Sequence, residues 1–358
     1  MRNRQPIPTP GDSGQIRARA TARSAARPLA LKLSAVLALF LAHSTLGSKA
    51  GFPAWPPPPD EPYITYVRSI SGPADVGAKP ATLSRLASWV IGGLPDSAGL
   101  VKPFGLALDE AGNLLVTDTG AGAVCCLDPS RKKWLRWESI GKTRFQIPVA
   151  IARSGQTFFV ADSGLGKVIA FSEKGKLLFE VTRELERPSG LATHADRLFI
   201  ADAQRHQIVV FDTRGVYQSK FGQRGGAPGE FNYPTHVATD ASGRVYVTDS
   251  LNYRVQVFDA AGKFERVIGS AGDGPGHFSR PKGVATDQSG HVYIVDALFD
   301  NVQIFDGAGR LLLNWGEAGS DPGQFWLPNA IVINRQNEIF VADSYNHRIQ
   351  VFQYTGKP

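Results

Sequence analysis

The feature that most constrains the fold of this chain is a segment that recurs along it. The stretch "DSYNHRIQVF", which begins at Asp343, has a near copy in "DSLNYRVQVFD" at Asp249 and a looser copy in "DALFDNVQIFD" at Asp296. Each copy extends upstream to a proline, and the six such prolines stand 40 to 47 residues apart: Pro103, Pro148, Pro188, Pro234, Pro281 and Pro328. The matching aspartates keep a similar spacing: Asp118, Asp162, Asp202, Asp249, Asp296 and Asp343. The chain therefore contains six repeats, and the repeat must be the unit of the fold.

Each repeat predicts four short strands. Runs such as "GVATD" and "VYVTD" are rich in β-prone residues and are separated by Ser-Gly turns, and "VQVFD" and "RLLLNWG" follow with another Gly turn between them. A period of about 40 to 50 residues with four antiparallel strands per unit is typical of propeller blades. The sequence thus predicts an all-β, six-bladed β-propeller.

The repeats also carry a family resemblance. "YNHRIQVF", preceded by "IFVAD", resembles the NHL repeat, and the resemblance extends over residues 102–358. It implies a six-bladed propeller of the kind found in exported bacterial proteins. Blades 1 and 2 depart from the pattern, because "DTGAGAVCCLD" and "DSGLGKVIAFS" lack its Asn-His/Tyr-Arg element.

Residues 51–101 are expected to comprise a spacer, a strand that closes the ring and a connector to the first repeat. The last repeat ends after its third strand, so residues 62–72, with "YITYVRSI", are predicted to supply the fourth strand of blade 6 and remove an open edge. Residues 51–61, "GFPAWPPPPDE", read as a stiff Pro-rich spacer. Residues 73–101 form a connector in which "TLSRLASWVIGG" predicts a short amphipathic helix, either filling a gap on the surface or covering a binding site.

Charge separates the first 50 residues from the remainder. The net charge of the chain is +7, but residues 1–49 hold eight basic residues and one acid, which leaves 31 of each sign in 50–358. The propeller is therefore neutral, and neutrality disfavours nucleic acid as a partner. Residues 1–50 combine a basic stretch, an apolar run over 33–42 and small residues before a possible cleavage after Ala50, as in a secretory signal. An uncleaved membrane anchor is the alternative, and in both cases the propeller is exported to the periplasm or the exterior.

Residues common to all blades are expected to serve the fold. The six aspartates end strands, where a carboxylate accepts backbone N–H groups. Cys125 and Cys126 are neighbours in a strand and point to opposite faces, so a disulfide is disfavoured and Cys126 is expected to be a small core residue. The spacing of His, Cys and acidic residues matches no metal motif.

Function is expected where the blades differ. Loops after each aspartate and the long connections share one face, opposite the short turns, and we call these the loop face and the turn face. Immediately after the prolines, at the mouth of the channel, stands His236 where every other blade has Gly or Ala. The predicted binding face comprises Arg205, His206, Thr235, His236, Asn252, Tyr253, Arg254, Lys282, Phe299, Asp300, Asn329, Tyr345, His347 and Arg348.

Two functions follow from this reading. The first is an exported scaffold, expected to be monomeric and without a cofactor, whose loop face on blades 3 to 6 binds an envelope or extracellular protein or an extended ligand. The alternative is a hydrolase or lyase, since the resembled propellers include calcium-dependent lactonases, a zinc-dependent amidating lyase and an antibiotic-opening lyase. In that case His236 would act as general base, Lys282 would stabilise negative charge, and calcium or zinc would sit at the mouth.

Overall fold

The computed structural model describes residues 53–57, 59–78 and 99–356, and these form a ring of six antiparallel sheets. In every blade the first strand begins at one of the six repeated prolines and the second ends at one of the six repeated aspartates. The first strands contact one another around the ring, so they line its central channel. The molecule is a six-bladed β-propeller, and the predicted fold class is confirmed.

The strands run outward from the channel in sequence order within each blade. Blades 1 to 3 consist of Pro103–Leu108, Leu114–Asp118, Ala123–Asp128 and Lys133–Trp137, then Pro148–Ser154, Thr157–Asp162, Lys167–Ser172 and Leu177–Val181, then Pro188–His194, Arg197–Asp202, Gln207–Asp212 and Tyr217–Phe221. Blades 4 and 5 consist of Pro234–Thr239, Val245–Asp249, Arg254–Phe258 and Phe264–Ile268, then Pro281–Thr286, Val292–Asp296, Asn301–Phe305 and Leu311–Trp315. Blade 6 contains Pro328–Ile333, Glu338–Asp343 and Arg348–Tyr354.

The remaining elements of the described residues are short. A two-stranded sheet lies in the connection between blades 1 and 2 and consists of Ser139–Ile140 and Thr143–Arg144. Three short 3-10 helices lie in loops: Pro73–Val76, Ser250–Asn252 and Ser344–Asn346. None of the helices in the described part of the chain is long and apolar enough to cross a bilayer. The predicted leader (1–50) and the helix predicted near 82–93 fall outside the described residues.

Two strands from the N-terminal side complete the sheet of blade 6. Strand Ile64–Ile70 lies antiparallel to the last strand of the chain, with Ile64 opposite Tyr354. Strand Ala54–Trp55 adds to its outer edge, and the Trp55 ring packs edge-on against Phe352 at 6.0 Å. Part of the Pro-rich segment predicted to be a spacer is therefore packed onto the propeller.

The hydrophobic core is divided among the six seams between neighbouring blades. Each cluster of buried apolar residues combines side chains from two adjacent blades, and one of them joins blade 6 to blade 1. The apolar residue three positions before each proline is buried in every repeat: Leu100, Phe145, Leu185, Phe231, Phe278 and Phe325. Because alternate residues of a strand face opposite sides of the sheet, every blade presents an apolar surface to both neighbours.

Candidate functional site

The six repeated aspartates are structural, as the sequence predicted. In blade 1 the buried carboxylate of Asp118 accepts the backbone N–H groups of Val101, Lys102 and Ala121 at 2.7–2.9 Å. Equivalent bonds tie each blade's second strand to the connection that leads into that blade. Among the described residues, no group of three or more His, Cys, Asp or Glu side chains is placed to hold a metal ion.

Blade 4 adds a side-chain clamp to its aspartate. Arg254 Nε donates to Asp249 Oδ2 at 2.9 Å, and its Nη2 donates to the carbonyls of Ala227 and Glu230. Asn252 Nδ2 donates to the same carboxylate at 2.8 Å. The clamp fastens the long connection from blade 3, so these two predicted binding residues are already engaged within the fold.

Blade 6 repeats this clamp with the same geometry. Arg348 Nε donates to Asp343 Oδ2 at 2.8 Å and its Nη2 donates to the carbonyls of Asp321 and Gln324. Asn346 completes it with a bond to the carboxylate at 2.9 Å. Blades 1 and 2 have no Asn or Arg at these positions.

The fourth residue after each aspartate has a left-handed backbone. Blades 1 and 2 place glycine there, whereas the other blades place larger residues at φ between 48° and 55°: His206, Tyr253, Asp300 and His347. A larger side chain in this conformation costs about 1–2 kcal/mol, so some contact must compensate for it.

In three of these four blades the compensating contact is a bond to the next blade. His206 Nδ1 accepts the N–H of Tyr233 at 3.1 Å, and Asp300 Oδ1 accepts the N–H of Leu327 at 2.7 Å. His347 Nδ1 is hydrogen-bonded to the carbonyl of Val101. These predicted binding residues thus close the seams between blades.

The other residues of the predicted face lie nearer the surface. Arg205 pairs with Glu184 and Glu186 at 3.5 and 3.6 Å. Phe299 is half-buried. Tyr253 is exposed and, within the described ranges, makes no side-chain hydrogen bond, which leaves it free to contact a partner.

Small residues line the mouth of the channel because the first strands approach closely. A Cβ added to Gly190 would lie 2.8 Å from the carbonyl oxygen of Thr235, and one added to Gly283 would lie 2.8 Å from that of Asn329. His236 occupies the equivalent position in blade 4, and its Nε2 lies 3.3 Å from Asn329 Nδ2 of blade 6. The imidazole therefore reaches across the channel.

The hydrogen bonds around His236 define its tautomer. Ser250 donates to the carbonyl of Pro281 at 2.7 Å, so it must accept from Thr235 at 2.8 Å. The Thr235 hydroxyl can then only accept from His236 Nδ1, at 3.2 Å. Nδ1 carries the proton, and the lone pair of Nε2 accepts from the Asn329 amide.

This environment keeps the His236 imidazole neutral. Burial, with a smaller effect from Lys282, lowers the pKa of His236 to about 3. An effective general base at neutral pH has a pKa near 7 and a free lone pair. Here the lone pair is occupied, and the neutral imidazole serves as a bridge.

Lys282 flanks this bridge from blade 5. Burial, reinforced by the neighbouring Arg280 guanidinium, lowers the pKa of Lys282 to about 8. The Asn329 amide on the other side of the bridge also donates to the carbonyl of Phe104 at 3.1 Å. Below the His236–Asn329 bridge the channel forms a cavity of about 310 Å³ lined by the innermost strands.

A set of exposed apolar residues lies on the loop face, and only Tyr345 among them was predicted from the sequence. Leu251 and Leu298, both about half exposed, occupy the second position after the aspartates of blades 4 and 5, and Tyr345 occupies it in blade 6. Trp326, 55% exposed, lies 5.6 Å from the Tyr345 ring, and Val101 of blade 1 is 47% exposed. We call Val101, Leu251, Leu298, Trp326 and Tyr345 the apolar arc. A repeat alignment gives the signal, because this second position is Gly, Gly and Gln in blades 1 to 3.

Comparison with known proteins agrees with this architecture. A family model for a six-bladed β-propeller, DUF5128, matches residues 182–243 and 239–298, and the NHL repeat model matches residues 325–352. The predicted resemblance to NHL-repeat six-bladed propellers is confirmed. No curated protein matches the chain.

Solved structures share the fold at low identity. Virginiamycin B lyase from Staphylococcus aureus is 13% identical with a TM-score of 0.53, over 72% of this chain and 86% of that one. An auxiliary nutrient binding protein from Bacteroides thetaiotaomicron is 14% identical with a TM-score of 0.57, over 73% of this chain and 71% of that one. A protein of unknown function from the same organism is 15% identical with a TM-score of 0.60, over 80% and 75%. These neighbours differ in role, so they support the fold alone.

Proposed function

We propose that this protein is an interaction scaffold whose apolar arc binds a protein partner. The observation that carries the proposal is the exposure of large apolar residues at loop-face positions of blades 4 to 6 and blade 1, with the Trp326 and Tyr345 rings in contact. Contiguous apolar surface rimmed by polar groups is typical of protein–protein contacts. Loops on a rigid scaffold are also a usual place for binding.

The seam between blades 6 and 1 would be the centre of this contact. Lys102 Nζ lies 4.4 Å from the centre of the Tyr345 ring and 3.1 Å from its hydroxyl, and Trp326 packs on the same ring. Exposed Trp and Tyr side chains held by their neighbours lose little entropy on binding, and such residues dominate interface energies. The basic groups beside them favour a partner with acidic side chains around an apolar patch.

A matched pair of leucines tests the proposal. Leu298 of the apolar arc is 53% exposed and Leu312, on the outer strand of the same blade, is 52% exposed. Wild-type protein, Leu298→Glu and Leu312→Glu are each immobilised, and the proteins that they retain from a cell extract are identified by mass spectrometry. The recovered partner is then purified and titrated against each of the three proteins. We expect Leu298→Glu to weaken binding at least about tenfold. A partner that Leu298→Glu retains and Leu312→Glu loses would place the contact elsewhere.

The hydrolase or lyase alternative has less support. It requires a basic His236 or a metal at the mouth, whereas the buried imidazole is neutral and its Nε2 accepts from Asn329. A metal analysis of the purified protein tests it directly. About one calcium or zinc ion per chain, lost in His236→Ala, would favour the enzyme over the scaffold.

We also infer that the scaffold acts outside the cytoplasm. The support is the order of basic stretch, apolar run and small residues in 1–50. N-terminal sequencing of the protein from its native envelope tests this inference. Cleavage near Ala50 would indicate a released propeller, and an intact N-terminus would indicate a tethered one.

A further inference from the structure

An unpaired cation stands at the mouth of the channel. Within the described residues Lys282 Nζ makes no hydrogen bond and no ion pair, although the residue is only partly exposed. Its backbone carbonyl accepts from Thr248 Oγ1 at 2.7 Å. A partly buried ammonium without a counter-charge is costly, and proteins usually pair such a group.

The surroundings of Lys282 provide no counter-charge. The neighbouring charge is a second cation, Arg280, whose exposed guanidinium also has no partner among the described residues. The carboxylate of Asp296 accepts the N–H groups of Ser279 and Arg280, and that of Asp300 accepts the N–H of Leu327. Both acids of this blade's loop are thus engaged by backbone donors.

The opposite side of the mouth is apolar. Residues that directly follow the prolines surround it, and Lys282 of blade 5 stands across the six-membered ring from Val149 of blade 2. Val149 is buried and Phe104, beside it in blade 1, is half-buried. Beside them the His236–Asn329 bridge joins blade 4 to blade 6. We call the mouth, with Lys282 and Arg280 on one side and Phe104 and Val149 on the other, the vestibule.

We propose that this vestibule binds a carboxylate with an apolar body. The Lys282 ammonium and the Arg280 guanidinium bind the carboxylate through charge-assisted hydrogen bonds, and the aliphatic or aromatic body lies toward Phe104 and Val149. This site goes beyond the scaffold function, because it does not depend on any protein covering the apolar arc. The carboxylate can belong to a free organic acid or to the C-terminus of a peptide.

Ligand-observed NMR titrations of the full chain test the site. The probes are hexanoate, hexanamide as its neutral isostere, and acetate as the charge without the body. We expect hexanoate to bind with a Kd on the order of 1 mM or tighter, and hexanamide and acetate to bind at least about tenfold more weakly. Acetyl-Ala-Phe with a free C-terminus, compared with its C-terminal amide, shows whether a peptide terminus binds more tightly than the free acid.

Variants locate the binding. Lys282→Met should weaken hexanoate binding at least about tenfold, and Lys263→Met, an exposed lysine on the turn face, should leave it unchanged. Arg280→Gln, at an exposed position, should weaken it severalfold and serves if Lys282→Met misfolds. Trp326→Ala should keep hexanoate binding while it loses the protein partner, so the two proposals can fail separately. Three results would overturn the site. They are equal affinity of the wild type and both cation variants for hexanoate, equal affinity of the wild type for hexanoate and hexanamide, and no binding of hexanoate at about 10 mM.

Discussion

Blades 1 and 2 and blades 4 and 6 share one strand plan but secure their loops in different ways. In blades 1 and 2 the repeated aspartate binds mainly backbone N–H groups, and glycine takes the left-handed position that follows. In blades 4 and 6 an Asn and an Arg join the aspartate and hold a long connection. The clamps therefore hold the long connections that lead into blades 4 and 6.

The difference shows which sequence variation is structural and which is available for function. Arg254 and Arg348 are charged residues on an elaborated face, yet their side chains are only 13% and 12% exposed because they act as clamps. The residues freed for contact are the apolar ones that the clamped loops present, such as Leu251 and Tyr345. Elaboration of the loops supplies the binding surface, and the clamps keep it in place.

Breaking a clamp should have the largest effect. Arg254→Ala leaves the buried Asp249 carboxylate without its cation and removes one of the two donors to each of the Ala227 and Glu230 carbonyls, so we expect a loss of about 3–5 kcal/mol in the free energy of unfolding. Urea denaturation measures it. Arg310→Ala is the control, because its ion pair with Asp306 is at the surface and should contribute at most about 1 kcal/mol. Similar losses in the two variants would mean that the clamp is no stronger than a surface pair.

The His236 bridge should make stability depend on pH. The pKa of His236 falls from 6.5 in the unfolded chain to about 3 in the folded protein because the ring is buried. Between pH 6.5 and about pH 3, His236 is protonated in the unfolded chain and neutral in the folded protein. The stabilisation is therefore complete above pH 6.5 and is lost as the pH falls toward 3. Between pH 7 and pH 4.5 we expect this group to remove about 2–3 kcal/mol from the stability of the wild type.

The same urea denaturation at both pH values, repeated with His236→Gln, isolates that contribution from the other groups that titrate in this range. The variant should lose less stability on acidification than the wild type. An equal loss in the two proteins would show that the imidazole takes up its proton at the same pH whether the chain is folded or not.

Substitutions at the left-handed positions should change stability least, and they compare a residue that bonds to the next blade with one that does not. Asp300→Gly relieves backbone strain but leaves the N–H of Leu327 unpaired, and we expect a net loss of about 1–2 kcal/mol. Asp300→Asn keeps the acceptor and should be nearly neutral. Tyr253→Gly removes strain with no hydrogen bond to lose, so stability should change by less than about 1 kcal/mol, in either direction. Thermal unfolding of the three variants tests the order, and a larger loss in Tyr253→Gly than in Asp300→Gly would contradict the role given to the seam bonds.

The fold, the number of blades and the face that carries the loops could all be predicted from the sequence. This was possible because repeated prolines, aspartates and alternating apolar residues report local geometry, which period and spacing encode directly. The sequence also showed that the second residue after the repeated proline is Gly or Ala in every blade except blade 4, where it is His236.

The tertiary structure alone decided what the charged residues of the loop face do. Whether Arg254 meets a ligand or a carbonyl 24 residues away depends on how the connection folds back, which no local pattern encodes. The same is true of the bridge from His236 to Asn329, since these residues are 93 positions apart and meet only because six blades close a ring. Contacts across a channel or a seam come from ring closure, so the function of a side chain there is set by its neighbours in space.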